Sequence, residues 1–168
     1  RRRFEFVEMM PDYEVLDDIA INGLVKKSVS TILKTINQRI KVLLDRDHCI
    51  GHAYFTSLIE EPSLELLMTI FEKRIIPLLQ EYFFDDWTKI NLVLGENGMV
   101  YTINLDSSLF PSMNPSEIEH LTKRNWDVYK YLFKNAPLEK KINALNQIIR
   151  PKKDYKIPKP EITDEEAS

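Results

Sequence analysis

The chain has 168 residues, of which 43% are hydrophobic and 29% are charged, and its formal net charge is −3. A chain of this length forms one domain, or a domain with an appendage, and its apolar content is sufficient for a core. The near-neutral balance excludes an overall electrostatic attraction to DNA or to a membrane surface. A single cysteine excludes an internal disulfide and is typical of proteins of the reducing cytosol.

The chain opens with RRRFEFVEMMP, a basic run followed by a short apolar segment that ends at Pro11. Phe4, Phe6 and Val7 have β character and predict a short strand. A guanidinium can donate two hydrogen bonds to phosphoryl oxygens, whereas three arginines at a chain end also fit a solvated terminus. Because the chain lacks an initiator Met, we expect it to be part of a longer protein. No apolar run is long enough to span a bilayer, and we expect no signal peptide.

A long amphipathic helix is predicted from Gly23 to Leu44, after a linker at residues 12–21 that holds one short helical turn at most. Asn22 is the candidate N-cap of this helix. The faces away from the apolar stripe mostly hold Lys26, Lys27, Lys34, Gln38, Arg39 and Lys41. This basic face could contact DNA, but we predict that it is solvated. The apolar residues that recur at three- and four-residue steps are Val25, Val29, Ile32, Leu33, Ile36, Ile40, Leu43 and Leu44.

The helix leads into DRDHCIGHAYF at residues 45–55, which we call the connector. Gly51 allows a turn or a close approach of the backbone to another group. His52 falls near the start of the next helix, where free N–H groups favour a phosphate. The alternative is a plain helix–helix connector in which His52 packs with the aromatics that follow it. Asp45 and Asp47 are expected to cap or salt-bridge the connector, and Cys49 to be a small buried apolar residue.

The next segment predicts further helices. Ser63 is the candidate N-cap of an apolar stripe that runs to Phe83, and Pro77 predicts a break near Ile76. The block IIPLLQEYFFDDW is expected to lie mostly in the core. Its Asp85-Asp86-Trp87 resembles a catalytic acidic pair, but an Asp pair before an aromatic more simply marks a helix N-terminus.

After Gly95, residues 96–98 predict a turn and residues 99–105 a short strand. Asn114-Pro115-Ser116-Glu117 predicts a helix start, with Asn as cap, Pro at the first helical position and Glu at the third. We predict that this helix runs to about Lys134 and that Pro137 starts another. The predicted apolar stripe of the first of these helices contains Ile118, Leu121, Trp126, Tyr129, Leu132 and Phe133. From Arg150 the sequence is rich in Pro and charge, which predicts a mobile or docked tail.

The blocks RRRFEFVEMMP, DRDHCIGHAYF and IIPLLQEYFFDDW occur in this order, with the predicted long helix between the first and the second. Over about residues 1–95 the chain thereby resembles the C-terminal part of the McrB-type AAA+ GTPases, the motor subunits of methylation-dependent restriction systems. The resemblance implies a mainly α-helical fold: a C-terminal helical lid bundle, preceded by a short strand of the AAA+ core and followed by a small β element near residues 99–105. The implied divisions are the end of the core (1–11), the lid (12–95), a family-variable strand and helical extension (96–150) and a mobile tail (151–168).

The resemblance also implies roles for particular residues. Arg2 and Arg3 would act as arginine fingers toward a nucleotide held by a neighbouring subunit, while Arg1 is left as solvated charge. Gly51 and His52 take the place of the lid sensor that contacts the nucleotide phosphates in the same subunit. The nucleotide would be GTP, or ATP, with Mg²⁺. No metal site is expected within this chain.

The implied partners are further copies in a homo-oligomeric, hexameric ring, an McrC-type nuclease and DNA, with no membrane and a cytoplasmic location. The chain has no G-x-x-x-x-G-K-[ST] phosphate loop and no strand ending in Asp-Glu. We therefore expect it to be inactive alone as a nucleotide hydrolase. The alternative function is a helical protein–protein interaction module with no nucleotide role.

Overall fold

The computed structural model describes residues 10–122 and 125–150. This part of the chain is mainly helical and contains a two-stranded antiparallel sheet, which confirms the predicted fold class. The predicted strand at Phe4–Val7, the three arginines before it and the tail from residue 151 lie outside the described residues. None of the described helices has the length and apolar character needed to cross a bilayer.

The helices are α1 (Ser28–Leu43), α2 (Ser57–Glu60), α3 (Leu64–Ile70), α4 (Ile76–Tyr82), α5 (Trp87–Val93), α6 (Pro115–Thr122), α7 (Lys130–Lys134) and α8 (Leu138–Ile149). Short 3₁₀ turns lie at Glu14–Leu16, His52–Phe55 and Ser107–Leu109, and a π-helical turn at Phe71–Ile75. The strands are β1 (Val100–Thr102) and β2 (Trp126–Val128).

Helix α1 begins at Ser28 rather than at Gly23. Gly23 has φ +88° and Lys27 has φ +61°, and left-handed residues cannot continue a right-handed helix. Val25, predicted for the buried face, is 69% exposed, and Lys27 takes the N-cap position instead of Asn22. From Val29 to Ile40 the apolar stripe is confirmed, because Val29, Ile32, Leu33, Ile36 and Ile40 are all buried. Leu44, also predicted for this stripe, lies after the helix and is 37% exposed.

Arg39 joins α1 to the C-terminal ends of α5 and α8. Its Nη1 donates to the carbonyl of Val93 at 3.0 Å, and its Nη2 to the carbonyl of Ile148 at 2.7 Å. The last carbonyls of a helix carry partial negative charge, so one cation stabilises both helix ends. Burial lowers the pKa of this guanidinium below its usual value. The prediction that Arg39 belongs to a solvated basic face is therefore wrong.

Gly95 and Asn97, which follow α5, hold α8 close to α5. Gly95 has φ +76°, and a Cβ there would lie 2.8 Å from Arg39 Nη1 and 3.1 Å from the carbonyl oxygen of Gln147. Both the backbone conformation and the lack of space therefore require a glycine. Buried Asn97 donates from Nδ2 to the carbonyl of Ala144 at 3.2 Å. These contacts fix α8 beside α1 and α5.

Helix α3 continues into α4 through the π turn, with no non-helical residue between Leu64 and Tyr82. The N–H of Ile76 donates to the carbonyl of Phe71, in the wider π pattern. Pro77 has no N–H to donate, so an α-helical hydrogen bond would be missing at this point. The predicted break near Ile76 is thus a change of helix type rather than a gap between two helices.

The predicted long helix after Asn114 ends at Thr122, and β2 follows it. Val100 pairs with Val128 and Thr102 with Trp126 in antiparallel register. Trp126 and Tyr129 were predicted on one helical stripe, but aromatic and β-branched residues also favour strands. Pairing with β1 stabilises the strand conformation here. The rings of Tyr101 and Tyr129 add an edge-to-face contact with centroids 5.5 Å apart.

Three predicted helix starts are confirmed by hydrogen bonds. Ser63 Oγ accepts from the N–H of Leu66 at 3.1 Å, and Asp86 Oδ1 from that of Lys89 at 3.2 Å. Asp86 therefore caps α5, as predicted for the DDW block. Asn114 and Glu117 exchange backbone-to-side-chain hydrogen bonds of 2.8 and 3.1 Å, which is a capping box.

The described elements share one hydrophobic core. It contains Leu16, Ile19 and Ile21 of the predicted linker and Leu145 and Ile148 of α8, together with the stripe of α1. Residues of the linker and of the C-terminal extension are therefore packed in the same core as the central helices. In contrast, Phe84 in the α4–α5 turn is 91% exposed.

Candidate functional site

Asp45 organises the first half of the connector. Its Oδ1 accepts from the N–H groups of Asp47 at 2.8 Å and His48 at 3.0 Å, and lies 2.7 Å from His48 Nδ1. The hydrogen bond from His48 lowers the pKa of the Asp45 carboxyl below its usual 3.8. Asp47 lies 3.6 Å from Arg46 Nε. These contacts agree with the predicted capping and salt-bridging roles.

His48 is held on the side of α4. Its Nδ1 donates to the Asp45 carboxylate, which can only accept, and its ring meets Tyr82 edge to face with centroids 5.0 Å apart. His48 therefore links the connector to α4. Cys49 is half-buried, and burial raises the pKa of its thiol, so that it is protonated at neutral pH.

Asn37 of α1 fixes the second half of the connector. Its side chain is 1% exposed. Its Oδ1 accepts from the N–H of Ile50 at 2.7 Å, and its Nδ2 donates to the carbonyl of Ile50 at 2.9 Å and to the hydroxyl of Tyr13 at 3.0 Å. Asn37 was not among the residues predicted from the sequence to have a functional role. The available signal was a polar residue on the buried stripe of an amphipathic helix, which requires internal partners.

Gly51 has φ −71° and ψ 151°, an extended conformation that other residues adopt. A Cβ added there would meet no atom within 4 Å. The backbone therefore needs no glycine for a turn at this position. The open space beside its Cα leaves room for a group from outside the chain, and the cofactor-binding role of Gly51 stays a prediction.

His52 begins the 3₁₀ turn that follows. Its Nδ1 accepts a hydrogen bond from the backbone N–H of Asp12 at 3.0 Å. A neutral imidazole that accepts at Nδ1 carries its proton on Nε2. Among residues 10–122 and 125–150, no hydrogen-bond partner of Nε2 is seen. The geometry therefore presents a donor at Nε2.

The aromatic residues after His52 differ in burial. Phe55 is fully buried and meets Phe71 edge to face, with centroids 6.2 Å apart. His52 and Tyr54 are only half-buried. Phe55 thus enters the core, while His52 remains at its edge. The phosphate contact of His52 stays a prediction, beside the packing alternative.

The family model of the McrB α-helical lid domain matches residues 28–91. The chain is also 33% identical, over 116 residues, to the type IV methyl-directed restriction enzyme EcoKMcrB subunit of Escherichia coli strain K12. Residues 28–91 are an McrB-type lid domain. The alignment covers 58% of this chain, and the chain spans 25% of the length of that relative.

Asn37, the connector and His52 all lie inside the matched lid, whereas Asp12, Tyr13 and α8 lie outside it. The hydrogen bonds from Asp12 and to Tyr13 therefore tie a segment before the lid to its centre. Within the described residues, no group of three or more His, Cys, Asp or Glu could hold a metal ion. Arg2 and Arg3 lie outside the described residues.

Proposed function

We propose that this chain is the C-terminal part of an McrB-like AAA+ NTPase that hydrolyses GTP, or ATP, with Mg²⁺ in modification-dependent DNA restriction. The whole protein, in this proposal, forms a homo-hexameric ring in the cytoplasm, drives DNA translocation and activates an McrC-type nuclease. The matched lid domain and the name of the relative, a methyl-directed restriction enzyme subunit, support the proposal.

The observation that carries the proposal is the hydrogen bonding of the His52 ring, which leaves an N–H donor at Nε2. The ring is half-buried, its Nδ1 is engaged by Asp12, and its Nε2 is the proton-bearing atom. A neutral N–H donor fits a phosphate oxygen, since it forms a hydrogen bond that the anion strengthens. His52 would thus act as the lid sensor for the nucleotide, with the open space beside Gly51 allowing the approach.

Arg2 and Arg3 would supply the second part of the site. A finger provided to the neighbouring subunit makes hydrolysis depend on ring assembly, because the guanidinium stabilises the charge that develops on the transferred phosphoryl group. The backbone N–H of Asp12 donates to His52, so Asp12 lies beside the proposed sensor. The lid and the fingers would then respond to nucleotides in two adjacent subunits.

The finger role is tested in the intact protein with Arg2→Ala and Arg3→Ala. GTP turnover should fall by roughly a thousandfold or more while nucleotide affinity changes little, since a finger acts on the transition state. Arg1→Ala is the matched control and should keep turnover. Unchanged turnover in both Arg2→Ala and Arg3→Ala would count against the finger assignment.

The sensor role is tested with a pair of amides at His52. His52→Gln keeps a donor near the position of Nε2, whereas His52→Asn places its amide near Nδ1 and removes the outer donor. We expect His52→Asn to weaken nucleotide affinity or turnover about fivefold or more, and His52→Gln to retain most of both. His48→Ala, which removes the other histidine of the connector, is the control. If both His52 variants change only thermal stability, the packing interpretation is correct.

Phe84 favours a second candidate function, a helical protein–protein interaction module without a nucleotide role. Its side chain is 91% exposed and its backbone has φ +49°, an uncommon conformation for a bulky residue. An exposed aromatic is typical of an interface centre. If Phe84→Asn abolishes nuclease activation while His52→Asn changes neither affinity nor turnover, this second function accounts for the chain.

A further inference from the structure

The linker before α1 contacts the connector at two separate points. Asp12 donates to His52, and the hydroxyl of Tyr13 accepts from Asn37, which also holds both backbone polar groups of Ile50. We propose that Asn37 and Tyr13 are positioning residues that lock the linker to the connector, so that the linker moves with the lid and fixes the tautomer of His52.

The burial of Asn37 makes this lock stronger than a surface contact. Asn37 is 1% exposed, and each hydrogen bond lost there leaves a polar group without water to replace the partner. Both Nδ2 protons are used, one for Ile50 and one for Tyr13. The amide therefore has no free donor with which to compensate for a displaced tyrosine hydroxyl.

Other contacts of the linker restrict where Asp12 can lie. Leu16 is fully buried, and Asp17 accepts from Ser30 Oγ of α1 at 2.6 Å. Lys34 of α1 places its Nζ 5.4 Å from the centroid of the Tyr13 ring, an additional cation–π contact. The linker is thus held along α1 at Tyr13 and at the residues that follow it, beside the hydrogen bond that the Tyr13 hydroxyl accepts from Asn37.

The lock has a consequence for the imidazole of His52. While the N–H of Asp12 points at Nδ1, that nitrogen cannot carry a proton, so Nε2 is the one donor that the ring presents. If the linker moves away, Nδ1 is released and both neutral tautomers become accessible. A contact at Nε2 and the position of the linker are therefore coupled thermodynamically. The transmission of nucleotide state from His52 to the linker rests on the proposed function. The lock formed by Asn37 and Tyr13 does not depend on that function.

The lock is tested by nuclear magnetic resonance on the 168-residue chain. Tyr13→Phe removes the hydroxyl that accepts from Asn37 and retains the ring. The amide of Asp12 should exchange about fivefold faster with solvent, and the ring nitrogen shifts of His52 should show a tautomer mixture. The amide of Ile50 keeps its bond to Asn37 and should change little. The matched control is Tyr82→Phe, because no hydrogen bond to the Tyr82 hydroxyl is seen among the described residues.

A double variant separates the lock from general loosening. If the effect of Tyr13 acts through Asn37, then Tyr13→Phe added to Asn37→Ala should accelerate the exchange of Asp12 no further than Asn37→Ala alone. Should Asn37→Ala fail to fold, Tyr13→Phe against Tyr82→Phe still decides. An Asp12 amide and a His52 tautomer that are the same in those two variants would overturn the proposal.

Turnover in the intact protein distinguishes this proposal from the proposed sensor function of His52, on which the transmission of nucleotide state to the linker depends. We expect Tyr13→Phe to lower the turnover number about fivefold relative to Tyr82→Phe, with nucleotide affinity preserved. A loss of turnover in His52→Asn but not in Tyr13→Phe would support the sensor role of His52 and contradict the transmission of nucleotide state to the linker. Faster Asp12 exchange with no effect of His52→Asn would instead support the lock and contradict the sensor.

Discussion

Replacing Arg39 by Met tests whether one guanidinium holds α5 and α8 against α1. Met keeps the apolar stem and loses both donors to Val93 and Ile148. Hydrogen bonds to a charged group contribute about 1.5–3 kcal/mol each. The cost of partly burying the guanidinium offsets some of this, so we expect a net loss of about 2–3 kcal/mol. For a chain of this size, that loss lowers Tm by about 5–10 °C.

The measurement is thermal and urea unfolding followed by circular dichroism. Lys41→Met is the matched control, because Lys41 is exposed on the same helix, and it should change the free energy of unfolding by less than about 0.5 kcal/mol. A double-mutant cycle with Gly95→Ala adds a second check: a Cβ at Gly95 would lie 2.8 Å from Arg39 Nη1, so Arg39→Met should relieve part of that contact. If Arg39→Met is no more destabilising than Lys41→Met, water replaces these hydrogen bonds and the reasoning fails.

Three further predictions concern the same scaffold. Gly95→Ala should lower the free energy of unfolding by about 2–3 kcal/mol, because Gly95 has a left-handed backbone and crowded surroundings. Gly51→Ala should change it by less than about 0.5 kcal/mol, because Gly51 is extended and has open space beside its Cα. Equal losses of the two variants in urea unfolding would contradict this contrast. Ser63→Ala should destabilise by about 1 kcal/mol through loss of the α3 cap, and Ser63→Asp should restore most of it, as read from unfolding midpoints. The hydrogen bonds from Lys27 and Ser30 lower the pKa of Asp17 below its usual 3.8. The wild type should therefore have a higher free energy of unfolding than Asp17→Asn above about pH 4, and this difference should vanish as the pH falls through the folded-state pKa of Asp17. A difference that persists at about pH 2 would refute the prediction.

The helical features with strong local causes could be predicted from the sequence. The stripe of α1 from Val29 to Ile40, the Ser63 and Asp86 caps and the capping box at Asn114 each depend on residues close in the chain, and each is confirmed. The start of α1 was misplaced because Lys27 adopts a left-handed conformation that its residue type does not favour.

The long-range features could not be predicted in the same way. Trp126 and Val128 fit a helical or a strand pattern, and only pairing with β1 selects the strand. The contact of Arg39 with Ile148 joins residues far apart in the chain, and no periodicity indicates it. The connector itself was recognised as the candidate site, but the hydrogen bond from Asp12 to His52 and the clamp by Asn37 required the tertiary fold.

The turn between α4 and α5 offers a route to thermostabilising design. Phe84 and Asp85 both have positive φ, and a left-handed conformation costs a residue other than glycine about 1–2 kcal/mol. An Asn-Gly pair adopts such a turn at a lower cost. A domain rebuilt with this pair would melt at higher temperature while its interior stays untouched, and its loss or retention of biological activity would show what the wild-type aromatic contributes.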